Sequence, residues 1–330
     1  DGTLEGFETI KGDEENENFV FQNITIEGAQ GIDRIALDFI IKKDGVVDMN
    51  DITIQGCNKS KSCLIGLTIY EASGFNFDNF TFKNNVVTAS YGGGTGIWLE
   101  RRNDNKLFNF TFTNCSFIGN HAELTENPNH QGYGGALQLG GTTQSSTFTY
   151  TVTNCIFESN IADRYGGALS IEAENSFRCE NCRFVRNEAA EFGGAIYVDP
   201  SVSKGNSEIT ITGCTFEDND STGSAIYCKE NGNANSRMSI TGNCQFKTNT
   251  KNDATFIIAR CKSLTISDIT FDMESLDKTC RAIKIENPAT DLIIQYVVFR
   301  NCAISSGEGN AIYIDSLPTI QGHQPIQATI

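Results

Sequence analysis

Two short blocks alternate along the middle of this chain in fixed order. The first reads NCSFIGN from Asn114, NCIFESN from Asn154, NCRFVRN from Asn181, GCTFEDN from Gly213 and NCQFKTN from Asn243. The second reads GGALQL from Gly134, GGALSI from Gly166, GGAIYV from Gly193 and GSAIYC from Gly223. Aligned on the small residue ahead of the apolar pair, the register runs through Ala36, Gly66, Gly96, Ala136, Ala168, Ala195, Ala225, Thr255, Ala282 and Ala311, mostly 27 to 32 positions apart. A unit of that length cannot bury an apolar face alone, so the units must stack on one another.

Between the blocks lie segments of strict apolar/polar alternation, such as FNFDNFTF from Phe75, TFTYTVTNCIF from Thr147 and SLTISDITF from Ser263. Period two in residues rich in Ile, Val, Thr and Phe is the strand signature, and no helical stripe competes with it. The expected fold is all-β: a single parallel β-helix of about ten coils, roughly 27 to 32 residues each. Its expected extent is residues 19–317, with an acidic cap or partial coil at 1–18 and a tail or linker at 318–330. The composition agrees: 5 Pro against 31 Gly suits strands hydrogen-bonded on both edges and turning at Gly.

The repeated residues have predicted structural roles. Phe117, Phe157, Phe184, Phe216 and Phe246 should point inward and stack coil over coil, since neighbouring coils lie about 4.8 Å apart. Asn120, Asn160, Asn187, Asn219 and Asn249 should occupy corners, through amide hydrogen bonds and tolerance of left-handed dihedrals. Cys115, Cys155, Cys182, Cys214 and Cys244 fall two positions before each Phe, on the same inward face, and read as a buried ladder of small apolar filler. Cys57 and Cys63, flanking a Lys-rich turn, are the disulfide candidate. Cys179 and Cys182 have CxxC spacing, but Cys182 belongs to the ladder and no second such pair accompanies it, which argues against zinc or thioredoxin-like chemistry.

The GGA[IL] and FxxN tetrapeptides resemble the repeats of polymorphic outer-membrane proteins, and more broadly the chain resembles a right-handed parallel β-helix protein. That resemblance implies a secreted or surface-displayed β-helix associated with adhesion. Six sequons fit such a setting, among which Asn58, Asn23, Asn79 and Asn109 are the glycosylation candidates. The function expected is therefore a non-catalytic, extracellular, adhesin-like protein that presents loop insertions to cells, glycans or matrix. The insertions run from Gly119 to Tyr133, Gln138 to Ser146, Asp199 to Ser207 and Lys229 to Arg237. The alternatives are a structural rod or coat subunit, and a β-helical polysaccharide lyase or glycoside hydrolase.

The expected partners are a cell-surface glycan or protein, or further copies of the chain. A formal charge of −16 argues against nucleic acid, whose phosphates require a basic surface. No apolar run is long enough for a helical membrane span. No catalytic, metal or cofactor residue is assigned, and calcium is the single ion the acidic composition leaves open. The acidic pairs Asp218/Asp220, Asp272/Glu274 and Asp163/Glu172 read as solvated side chains, and His121, His130 and His323 as loop or tail residues.

Overall fold

A computed structural model describes residues 10–12, 19–28, 37–41, 45–60, 65–69, 74–88, 97–101, 107–124, 132–139, 147–172, 175–199, 207–222, 224–229, 236–247, 255–272, 282–285, 291–301 and 311–314. Among them the regular structure is all strand, and every inter-strand ladder is parallel. Each coil contributes in turn to three sides and a short corner sheet. The first side stacks Phe19–Glu27, Val46–Gln55, Gly74–Asp78, Leu107–Thr113, Thr147–Thr153, Asn175–Glu180, Glu208–Thr212, Arg237–Thr241, Ser263–Asp272 and Asp291–Arg300. The second side carries the FxxN strands from Thr81–Lys83 to Cys244–Lys247 and merges at both ends into the long strands Val46–Gln55 and Ser263–Asp272. The corner sheet pairs short strands such as His121–Ala122 and Ile161–Ala162. The third side runs from Leu137–Leu139 to Ile312–Ile314.

The strand Ile10–Gly12, inside the expected cap, already pairs with Leu37–Ile41. Residues 13–18 and 318–330 lie outside the described residues, as do sides of several outer coils, so fewer turns are complete than the about ten expected.

Parallel in-register pairing puts like residue on like. Phe82, Phe117, Phe157, Phe184, Phe216, Phe246, Phe271 and Phe299 form one stacked column, with ring centroids 4.7 to 5.6 Å apart. The column extends past the five predicted rings because Phe271 and Phe299 continue it without the FxxN signature. Beside it, Cys115, Cys155, Cys182, Cys214 and Cys244 are buried as free thiols. The backbone N–H of Cys115, Cys155, Cys182 and Cys214 each donates to the sulfur one coil on, at 3.3 to 3.4 Å. Burial pushes the Cys244 thiol up to about 12, which keeps that sulfur neutral.

The asparagines depart from expectation in an informative way. Asn85, Asn120, Asn160, Asn187 and Asn219 are buried, at 0 to 1 % exposure, and none has a left-handed backbone. The left-handed residue is the one before each: Asn84, Gly119, Ser159, Arg186 and Asp218. The Asn side chain instead turns inward. Asn160 Nδ2 donates to Phe117 O of the preceding coil at 2.9 Å and to Asn187 Oδ1 of the next at 2.9 Å. Asn160 Oδ1 in turn accepts from the backbone N–H and Nδ2 of Asn120, at 3.1 and 2.9 Å. All four bonding positions of the amide are filled, as a buried amide requires. The pattern repeats from Asn85 to Asn219, while Asn249 lies outside the described residues. The exposed left-handed corner ahead of each Cys is filled by Asn114, Asn154, Asn181 and Gly213, and later by Asn243.

In the second block the two glycines have separate roles. Gly134, Gly166 and Gly193 take φ of +64°, +68° and +70°, where a Cβ is strained. A Cβ on Gly135 or Gly167 would overlap the carbonyl oxygen of the glycine stacked on it, Gly167 or Gly194. The Ala and Leu or Ile that follow are buried.

Asn187→Ala should destabilise the protein by about 3 to 5 kcal/mol, because it strands the Phe157 carbonyl and both Asn160 donors in the core. Asn154→Gly, at an exposed left-handed corner, should cost less than about 1 kcal/mol. Urea unfolding of the two variants checks the ranking, and equal losses would contradict it.

Candidate binding face

The outward surface of the third side carries a second cluster, separate from the core. Strand alternation should expose Tyr197 and Tyr227, yet they are 1 % and 4 % exposed. They are covered by Tyr165 and Phe192, which come from the turn just before each Gly-Gly pair and stack on them at 4.5 and 4.4 Å. Tyr133, in the same position one coil earlier, lies 5.0 Å from Tyr165. The sequence carries a signal for this cluster: an aromatic precedes Gly134, Gly166 and Gly193 in three successive copies.

Charged groups border this aromatic column at both ends of the strands. At the entry end, Arg164 lies over the Tyr165 ring, 5.0 Å from its centroid, and its Nε donates to Glu191 at 3.0 Å. Desolvation, together with Glu191, raises the Tyr165 hydroxyl pKa. At the exit end, Asp199 accepts from the Tyr197 hydroxyl and from Lys229 Nζ, each at 3.1 Å. Burial, with Asp199 beside it, pushes the Tyr197 pKa up, so Tyr197 serves as a hydrogen-bond donor and never as a base.

His121 is not a loop residue. It sits on a corner strand between Val86 and Ile161 and reaches across to Asp163 at 2.8 Å, with Glu123 at 3.9 Å. Asp163 also accepts the backbone N–H of Leu124 at 2.7 Å, tying down the start of the chain segment 125–131. The Asp163 hydrogen bond raises the His121 pKa, and the same bond lowers that of Asp163. Among the described residues this is the one predicted acidic candidate joined to a histidine. Asp218 occupies a left-handed corner, its carboxyl raised by desolvation and by Glu217. His130, His323 and Glu274 lie outside the described residues.

The chain segments 140–146, 200–206 and 230–235 all leave the third side where it hands over to the first, at one corner of the rod. Segment 125–131 leaves from the corner sheet, at the opposite edge of the third side. The aromatic face lies between the two exits.

Of the glycosylation candidates, Asn23, Asn58, Asn79 and Asn109 are all exposed. Asn58 lies at the start of the short strand Asn58–Ser60 and Asn109 within a first-side strand, whereas Asn23 and Asn79 hold left-handed corners. Asn79 Nδ2 donates to Asp51 at 2.6 Å. Cys57, expected beside a turn, is buried, and its backbone N–H donates to Asn85 Oδ1 at 3.0 Å as each ladder Asn does to the next; Cys63 lies outside the described residues. Cys179, Cys182 and Cys214 bring their sulfurs within 4.8 Å of one another, the grouping among the described residues with metal-like proximity.

The sequence matches the family described as right handed beta helix region over residues 39–245. The chain belongs to that family. The right-handed β-helix is a scaffold found in both binding proteins and enzymes, so membership establishes the fold and leaves the activity to the site. No curated protein and no solved structure matches the chain.

The His121–Asp163 pair makes stability depend on pH in a defined direction. His121 has a raised folded pKa, so its contribution is complete below its unfolded value of about 6.5 and is lost as pH rises through the folded value. Asp163 has a lowered one, so its contribution is present above about 3.9 and is lost as pH falls through the folded value. The pair is therefore strongest in mildly acidic solution. Thermal melts from about pH 5 to pH 9 should show a decline toward alkaline pH that His121→Gln abolishes; identical profiles would refute the assignment.

Proposed function

We propose that this protein is a non-catalytic, extracellular display scaffold of adhesin type, whose third side and adjoining connections contact a cell-surface glycan or protein. The observation that carries the reading is the shared exit of segments 140–146, 200–206 and 230–235 at one corner of a rigid stack. A β-helix needs only a short connection there: Glu172 and Asn175 are joined at the same corner by two residues. The longer connections are therefore more than the coil requires, and binding residues concentrate on loops held by a rigid frame. The aromatic and charged groups beside those exits suit a ligand with hydroxyl groups and apolar faces.

Replacing 140–146, 200–206 and 230–235 by two-residue turns should leave the circular dichroism and melting temperature nearly unchanged. Binding to a mixed glycan array and to intact cells should fall at least about tenfold, the loss of about 1.4 kcal/mol. Undiminished binding by a folded variant would sink the proposal.

The structural-rod alternative has one observation of its own. Asp291–Arg300 pairs on one edge with Ser263–Asp272, and its Ile293, Tyr296 and Val298 are 49 %, 74 % and 45 % exposed. Among the described residues no strand pairs with its other edge, and an unpaired apolar strand accepts another strand. Size measurements over a concentration series decide between the two: growth with concentration supports the rod, a constant monomer the display scaffold.

A further inference from the structure

The column of inward residues that contains Cys179 is otherwise aliphatic or aromatic. In register with it stand Val152 of the preceding coil and Ile211 of the following one, and Phe112 and Ile240 lie beyond them. A cysteine at this place adds a third sulfur beside two rungs of the Cys ladder. Cys179 Sγ lies 3.7 Å from Cys214 Sγ, in van der Waals contact across the coil boundary. Cys214 Sγ also faces the Cys179 carbonyl oxygen at 3.7 Å, so the two residues approach from backbone as well as side chain. The Cys182 thiol donates to the carbonyls of Glu180 and Val152, at 3.2 and 3.5 Å, and its backbone N–H donates to Cys214 Sγ at 3.4 Å.

Two products could consume these thiols, a metal thiolate or a disulfide, and charge separates them. Three thiolates around a divalent cation leave one net negative charge in the core. Among the described residues no Lys, Arg or His is buried to offset it, and an uncompensated buried charge is costly. A disulfide is neutral and needs no added atom. It requires that the sulfurs close from contact to a bond of about 2.05 Å while the two Cβ–S bonds take a dihedral near ±90°.

We propose that Cys179 and Cys214 are the site of an inter-coil disulfide, formed by exchange with a small-molecule disulfide of the glutathione type. The thiolate of one cysteine attacks a sulfur of the small disulfide, forming a mixed disulfide and releasing one small thiolate. The thiolate of the other attacks the protein sulfur of that mixed disulfide, forming the Cys179–Cys214 bond and releasing the second. Two electrons pass from the protein to the small disulfide, and the two protons end on the released thiols. Burial holds the Cys179 thiol well above its ordinary pKa, which slows attack in the folded protein and assigns the reaction to folding, when coils dock. The bond closes one whole turn of the solenoid, the turn that carries segment 200–206. Ladder rungs such as Cys115 and Cys155, which lack a third sulfur, stay reduced.

The test is refolding of the full chain from urea in a glutathione/glutathione disulfide mixture, followed by acid quench, alkylation and peptide mass mapping. Cleavage after Glu180 separates Cys179 from Cys182. The expected product is one cross-linked pair joining the peptides of Cys179 and Cys214, with a mass lower by two hydrogen atoms and with Cys182 alkylated. Cys179→Ala should refold and lose the cross-link, and Cys182→Ala should keep it. Full alkylation of both residues in the wild type overturns the proposal. So does a Cys182–Cys214 link that survives in Cys179→Ala, or a native mass raised by bound zinc with all three thiols reduced.

Discussion

Everything in this structure depends on the pairing of identical coils in parallel, in register, at the spacing of one strand. That constraint turns a linear repeat into columns, because a residue at a given point of one coil meets its counterpart above and below. Aromatic residues tolerate this well, since stacked rings bury area against each other, and so do thiols. Polar residues tolerate it only if each can be donor to one neighbour and acceptor from the other. The primary amide of Asn meets that condition, which is why Asn120, Asn160 and Asn187 are buried with all four bonding positions filled. Aligned amides also polarise one another, so the column gains from length. It closes the corner between the second side and the corner sheet, where Phe carbonyls would otherwise face a dry interior.

The columns of Phe and Cys were legible because a strand with period two and a fixed FxxN offset leaves no choice of face. The asparagines were placed in the right part of the coil for a partly wrong reason. Asn in a turn suggests a left-handed backbone, but here that conformation falls on Gly119, Ser159, Arg186 and Asp218. The copies themselves held the clue. A position that accepts Gly, Ser, Arg and Asp is set by backbone hydrogen bonding, whereas one that keeps Asn in every copy is set by what its side chain touches. Phe271 and Phe299 escaped notice because their coils lack that Asn at the third position.

The aromatic face of the third side was the least legible part. Tyr165, Phe192, Tyr197 and Tyr227 contact one another across coils and across a turn, so their association is visible only once the coils are stacked. The same holds for His121 with Asp163, 42 positions apart, and for Cys179 with Cys214, 35 apart. In each case the partner sits about one coil further on, and the repeat length alone does not say which side chains lean toward each other. What the solenoid supplies is a stiff core of columns and an outer surface free to vary. Among the described residues no Asp or Glu is buried, so their charge lies on that outer surface.

The claim on which this account rests is that the asparagine column is buried and fully hydrogen-bonded. Side-chain amide hydrogen exchange, followed by NMR on nitrogen-15-labelled protein, reads it directly. The Nδ2 protons of Asn120, Asn160 and Asn187 should exchange only through opening of the stack, orders of magnitude more slowly than those of the exposed corner residues Asn154 and Asn181. Exchange of the column amides as fast as that of the corner amides would contradict it.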